Sequence, residues 1–141
     1  MVEECTARGI SIHNAGVYCS GLLVGGDTYF YSEGALPSLP LLSTNHPSRR
    51  GVCAAAAPAE MRAKAQAWAE IAADFSVPLP AVAIKFGLMP SAVSHVVCGW
   101  GTPEEVTSSV EWAETAVPPE LWEDKRVEGL LPDALVEAIR S

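Results

Sequence analysis

Positive charge is scarce in this sequence: 9 Lys and Arg stand against 17 Asp and Glu, for a formal net charge of −8. Holding a phosphate backbone rests on Lys and Arg displacing its counterions, so without a basic stripe nucleic acid is not expected as a partner. No run approaches the ~18 consecutive apolar residues of a membrane helix. The opening Met-Val-Glu-Glu-Cys has none of the positive-then-apolar character of a signal peptide. The chain therefore reads as soluble, with no membrane partner and a cytoplasmic location. Cysteine is sparse too. Cys5, Cys19, Cys53 and Cys98 are scattered, and no two have the two-to-four-residue spacing of a zinc site or redox pair, so no metal is suggested. With 49% hydrophobic residues the core needs no disulfides, and buried reduced thiols are expected. At 141 residues the chain is too short for a closed eight-stranded α/β barrel, which takes roughly 200 or more. It is equally short for two full domains.

Val2 to Arg8 reads as the end of a helix, with Gly9 in the left-handed position that closes it. Ile10-Ser11-Ile12 alternates as a strand does and runs into a glycine-rich loop containing Gly16, Gly21, Gly25 and Gly26. From Leu36 to Pro58 the composition turns to Pro, Ser, Leu and Ala, which predicts a long loop or a partly disordered insertion. Met61, Ala65, Trp68, Ala72 and Phe75 fall on one helical face, predicting a helix over Glu60 to Phe75. A second helix is expected after Pro78, with Pro80 in its first turn and Pro90 as its stop.

Val93 to Cys98 is a short apolar run of the kind buried on both faces of a parallel sheet. After Gly99-Trp100-Gly101 come Thr102 as N-cap, Pro103 at the first helical position and Glu105 three residues past the cap. Together they predict a capping box and a third helix through Val106, Val110 and Ala113. Two short helical stretches follow, around Leu121-Trp122 and Leu135 to Ile139. The order gives α/β architecture with two consecutive βα units, in which ligands gather at the carboxyl ends of the strands.

Both loops at those ends are glycine-rich. In the first, Gly16, Tyr18, Ser20 and Gly21 combine backbone freedom with a hydroxyl; in the second, Gly99, Trp100, Gly101 and Thr102 lead into a helix N-terminus. Either is also accounted for as a plain turn and a cap, and neither is a Gly-x-Gly-x-x-Gly or Walker A fingerprint. His13, His46 and His95 show no metal-ligand spacing and read as solvated or packed imidazoles. No nucleophile elbow is present. From residues alone no catalytic apparatus can be named.

Five segments, in order, resemble the C-terminal part of an aldo-keto reductase. They are Gly9-Ile-Ser-Ile-His-Asn-Ala-Gly-Val-Tyr-Cys-Ser-Gly-Leu-Leu, Tyr29-Phe-Tyr31, Val77-Pro-Leu-Pro-Ala81, Val97-Cys-Gly-Trp-Gly-Thr-Pro-Glu-Glu-Val106, and Pro118-Pro-Glu-Leu-Trp122 with Gly129-Leu-Leu131. The pattern is that of the branch with D-threo-aldose (L-fucose-type) 1-dehydrogenases and pyridoxal 4-dehydrogenase. The resemblance runs from about Cys5 to Leu131. Ser43 to Ala57 has no counterpart, which marks an inserted loop at about 41–58.

That resemblance implies a partial (β/α)8 TIM barrel: the last two βα units plus C-terminal helices, starting within the sixth helix. The family's catalytic Asp, Tyr, Lys and His would lie upstream of Met1, so no catalytic residue is assigned and the isolated chain is expected to be inactive. Part of a nicotinamide-cofactor site carries over. Gly16, Tyr18, Ser20 and Gly21 stand at the pyrophosphate, and Gly101 and Thr102 open the second cofactor loop. Gly99 and Trp100 stand where NADP-preferring members place Lys and Ser, Glu105 where they place an Arg for the 2′-phosphate, and Ser109 in place of an Asn near the adenine. This implies NAD in preference to NADP, and a small aldose or carbonyl substrate once the site is complete. The alternative is a non-catalytic pseudoenzyme or structural subunit, held to a protein partner or to another copy through open barrel edges.

Overall fold

In a computed structural model, residues 2–26, 28–29 and 55–140 are described. His46, Cys53 and the Pro-rich segment as far as residue 54 lie outside the described residues, and so does the inserted loop expected at about 41–58 except for its last few residues. The chain forms helix α1 (Val2–Ala7), strand β1 (Ile12–Asn14), a 3₁₀ turn (Cys19–Val24), and short strands β2 (Thr28–Tyr29) and β3 (Ala55–Ala56). Helices α2 (Ala59–Asp74) and α3 (Leu79–Leu88), strand β4 (Val93–Val96) and helix α4 (Pro103–Glu114) follow. Three short helices end it: α5 (Pro119–Glu123), α6 (Lys125–Glu128) and α7 (Asp133–Arg140).

The fold is thus mixed α/β, mostly helical. β1 and β4 pair in parallel and β2 and β3 antiparallel. Because parallel neighbours need a crossover, α2 and α3 lie between β1 and β4 in the chain, as the reading of two βα units requires.

Gly9, at φ 65°, closes α1: its amide donates to the Thr6 carbonyl at 3.2 Å, and the Ile10 amide donates to that of Cys5 at 2.8 Å. This paired closure satisfies the helix's last carbonyls. It also draws Ile10 into the helix end, so β1 starts at Ile12 rather than at Ile10. α2 and α3 follow the predicted bounds to within a residue and bend by 102° at the break between them. No single helix among the described residues is long and apolar enough to cross a membrane.

One expectation is corrected. β4 is not buried on both faces: Ser94 and His95 are exposed, because the described helices cover one side of the two-stranded sheet and leave the other open. In α4, Val106 and Val110 face outward at 40% and 51% exposure, and Ala113 is exposed as well. The inward side of that helix is set by Ser109 and Trp112.

The core sits where α2 and α3 meet the C-terminal helices. Ile71, Ala72, Val77, Ala81 and Val82 pack with Leu121, Trp122 and Val127. Trp122 stacks on Phe86 at 6.3 Å between ring centroids and tilts against Trp68 at 6.2 Å. Outside the core, Arg126 donates to Asp124 and to Asp74 at 2.8 Å, linking the start of α6 to the end of α2. The Arg126 guanidinium and backbone amide, both donating to Asp124, lower the pKa of its carboxyl to about 2.

Gly87 is where α3 meets the loop after β1. A Cβ there would lie 2.5 Å from Val17 Cγ1 and 3.1 Å from Asn14 Nδ2. Val17 is buried and β-branched, so it has little freedom to move aside. Gly87→Ala is therefore expected to destabilise the chain by about 1–3 kcal/mol through overpacking, despite the better helix propensity of Ala. A urea melt followed by circular dichroism checks this, and an unchanged or raised midpoint would contradict it.

Candidate functional site

Two loops, one after each parallel strand, define the site. The first is anchored by Asn14, whose Nδ2 donates to the Gly87 carbonyl at 3.2 Å while its Oδ1 accepts from the Gly16 amide at 3.0 Å. This side-chain turn is the physical content of the Asn-Ala-Gly sequence. The chain then passes through Cys19, Ser20 and Gly21, all at positive φ (50°, 60° and 97°). Two consecutive non-glycine residues in the left-handed region mark a locally strained backbone, of the kind held in place by surrounding structure. The Cys19 amide donates to the Gly16 carbonyl at 3.0 Å, and the Gly21 amide to that of Tyr18 at 2.9 Å. The amides of Gly16, Cys19 and Gly21 are thus spent on the loop's own geometry.

The second loop leads into α4. Thr102 caps the helix: its Oγ1 accepts from the Glu105 amide at 3.3 Å. The Glu105 carboxylate also turns back over the helix start, where its Oε2 accepts from the Gly101 amide at 2.6 Å, one residue before the cap. A carboxylate thus already occupies the positive end of α4. Glu104, Glu111 and Glu114 are the exposed acids that the helical spacing predicts, whereas Glu105 is half-buried.

The loops converge on Ser109, the one buried polar side chain among the described residues, at 6% exposure. Trp100 Nε1 donates to Ser109 Oγ at 2.8 Å, and the Tyr18 hydroxyl lies 3.5 Å from the same oxygen, at the outer limit of a hydrogen bond. A buried hydroxyl needs such partners, so this serine holds a residue from each loop. Trp100 keeps half its surface in solvent. Gly99 beside it is open: a Cβ there would meet nothing within 4 Å.

Two neighbours that the sequence did not assign to the site complete the cluster. Trp112 meets the Tyr18 ring edge-on at 6.1 Å. Cys98 lies close enough to the Tyr18 hydroxyl to affect its ionisation. Burial pushes the Tyr18 hydroxyl above its ordinary value; the Ser109 contact works against that rise, and Cys98 adds to it. Tyr18 is accordingly a neutral hydrogen-bonding ring near neutral pH. Burial likewise pushes the Cys19 thiol up. Helical spacing identifies Trp112 only as a packing residue, and nothing local in the sequence links Cys98 to Tyr18.

Of the ten residues assigned to the site, the structure therefore joins Tyr18, Trp100 and Ser109 directly, and Gly101, Thr102 and Glu105 at the helix start. Gly16, Ser20 and Gly21 shape the first loop, and Gly99 stands with open space beside its backbone in the second. Cys5, Cys19 and Cys98 are free thiols, half-buried. No group of three or more potential metal ligands occurs among the described residues.

Fold and site together define an α/β chain whose two strand-to-helix loops meet over one helix, the arrangement used for ligands at the ends of parallel strands. Its sequence relatives make this specific. Over 128 residues, 88% of this chain, it is 32% identical to pyridoxal 4-dehydrogenase from Microbacterium luteolum. Over 64 residues, 45% of the chain, it is 38% identical to D-threo-aldose 1-dehydrogenase from a Pseudomonas species. The matches cover 31% and 20% of those proteins, in their C-terminal regions. The chain is thus homologous to the C-terminal region of both dehydrogenases, the aldo-keto reductase branch its motifs resemble. No protein-family model matches the chain, and no solved structure matches it.

Proposed function

We propose that this chain is the cofactor-binding, C-terminal portion of a nicotinamide-dependent aldo-keto reductase that oxidises an aldose or reduces a carbonyl. β1 and β4 would be two adjacent strands of a (β/α)8 barrel, completed by sequence equivalent to the rest of its relatives' length. The observation that carries the reading is the convergence of Tyr18 and Trp100, from the two strand-end loops, on the buried Ser109 of α4. The residues fit the nucleoside part of the group. Trp100 offers an exposed indole face beside the open backbone of Gly99, suited to a nucleotide's flat and ribosyl parts, and Ser109 fixes that indole's orientation. The bound nicotinamide would supply the hydride acceptor or donor. This chain supplies binding and exclusion. The Glu105 carboxylate, placed on the α4 N-terminus, disfavours a 2′-phosphate there, whereas a ribose 2′-hydroxyl carries no charge to repel, so NAD is the favoured cofactor.

The catalytic residues belong to the completing sequence, and the chain alone is inactive. Exposed Ile10 and Val97 flanking the paired strands, with Val106 and Val110 on α4, favour association with a completing polypeptide. The test titrates NAD into the chain, alone and mixed with a polypeptide equivalent to the preceding two-thirds of the pyridoxal 4-dehydrogenase relative. The readouts are tryptophan fluorescence and sedimentation. The expected result is a heavier complex, with saturable NAD-dependent quenching that disappears in Trp100→Phe. No complex, or quenching that persists in Trp100→Phe, would overturn the reading.

A further inference from the structure

The open face of the β1–β4 sheet carries a histidine pair that the sequence does not disclose. The register places His13 opposite His95, with ring centroids 4.8 Å apart and ring planes inclined by 55°. Both residues are exposed in this chain, on the sheet face that a completed barrel would enclose. We propose that this pair is a two-imidazole site for a divalent transition-metal ion, distinct from the Tyr18–Trp100–Ser109 cluster.

The geometry suits one ion. With metal–nitrogen bonds of about 2.0–2.1 Å, two imidazoles bound at angles between roughly 90° and 110° have ring centroids about 4.5–5.2 Å apart. The observed 4.8 Å falls inside that range. Rings in parallel stacking contact would turn their nitrogens away from a common point, and the 55° inclination departs from stacking.

A supporting set of hydrogen bonds orients one ligand. Ser94 Oγ lies 2.8 Å from His95 Nδ1, and Ser94 in turn hydrogen-bonds Ser11 across the strands. With the Nδ1 proton donated to Ser94 and the Ser94 hydroxyl donated to Ser11, the lone pair of His95 Nε2 is left for the metal. This is the outer-shell arrangement that fixes a ligating histidine's tautomer. Among the described residues, no hydrogen bond engages the His13 ring. With two protein ligands the remaining positions fall to water, and an imidazole-only set selects Ni²⁺, Cu²⁺ or Zn²⁺ over Mg²⁺ and Ca²⁺. The net charge of −8 raises the local concentration of cations.

The test uses the untagged chain and NiCl₂. Calorimetry gives affinity, and paramagnetic broadening of histidine ring C–H signals gives the location. Expected are selective broadening of the His13 and His95 signals and a loss of affinity of about tenfold or more in His13→Gln and in His95→Gln. Ser94→Ala, which leaves both ligands in place, is expected to lose about tenfold at most. His46→Gln is the control and should match the parent chain. Because both rings are exposed, neither glutamine variant removes core packing, and unchanged melting temperatures verify that. Parent-like affinity in either glutamine variant, or an equal loss in His46→Gln, would overturn the site.

Discussion

Glu105→Arg is expected to shift relative affinity toward NADP by about tenfold or more, chiefly by tightening NADP, when the chain is completed with the polypeptide described above. The argument is electrostatic. In the parent chain Glu105 Oε2 sits 2.6 Å from the Gly101 amide, so a carboxylate holds the end of α4 where an added phosphate would seek amides and positive dipole. A like charge within a few ångströms costs a phosphate on the order of 1 kcal/mol even when partly solvated. Replacing it with guanidinium removes that repulsion and adds a charge-assisted donor, and about 1.4 kcal/mol corresponds to tenfold. NAD, whose 2′-hydroxyl is neutral, should change little. Losing the acid from the first turn also costs the helix about 0.3–1 kcal/mol, so a small fall in melting temperature is expected. Glu104→Arg reverses the same charge at an exposed neighbour and should leave the ratio near its parent value. Fluorescence titration of both cofactors against the three proteins decides the matter. Equal weakening of both by Glu105→Arg, with a lower melting temperature, would show that the residue serves only as a helix cap.

Leu121→Ala carries the largest expected loss of stability. Leu121 is fully buried in the cluster joining α2 and α3 to α5 and α6, and truncating such a leucine costs about 2–5 kcal/mol in lost transfer energy and cavity formation. For a chain of this size the melting temperature should fall on the order of 10 °C. Leu135→Ala, in α7, removes the same atoms from a side chain that is 42% exposed and should stay within about 0.5 kcal/mol of the parent. Thermal and urea melts of the two variants compare like with like. Comparable shifts would mean that the C-terminal helices do not anchor the core as described.

Local chemistry made much of the fold legible. Gly9 closes α1 because an αL residue is needed there, Thr102 and Pro103 start α4 because one supplies an acceptor and the other a preset φ, and Pro90 stops α3. Each of these signals acts over three or four residues. The face of α4 was not legible. Val106, Val110 and Ala113 have core-like spacing, yet they point outward, because Ser109 and Trp112 are drawn in by Tyr18, Trp100 and the core. An apolar spacing defines a stripe, but only the neighbours decide which stripe is covered. The same holds for β4. Its apolar run suggests burial on both faces, whereas the described helices cover just one.

By itself the sequence determined the order of elements, the helix boundaries set by Gly, Pro and Thr, the excess of acidic over basic residues, and the motifs shared with the two dehydrogenases. All of these are local or compositional properties. Tertiary structure alone decided that Tyr18 and Trp100 meet at Ser109, that Glu105 turns back to the Gly101 amide, and that His13 lies against His95. Apart from the Glu105 turn, these contacts depend on the parallel register of β1 and β4 and on α4 packing back against the first loop. Register and packing are settled by the summed burial of many side chains, so no motif within a single segment encodes them.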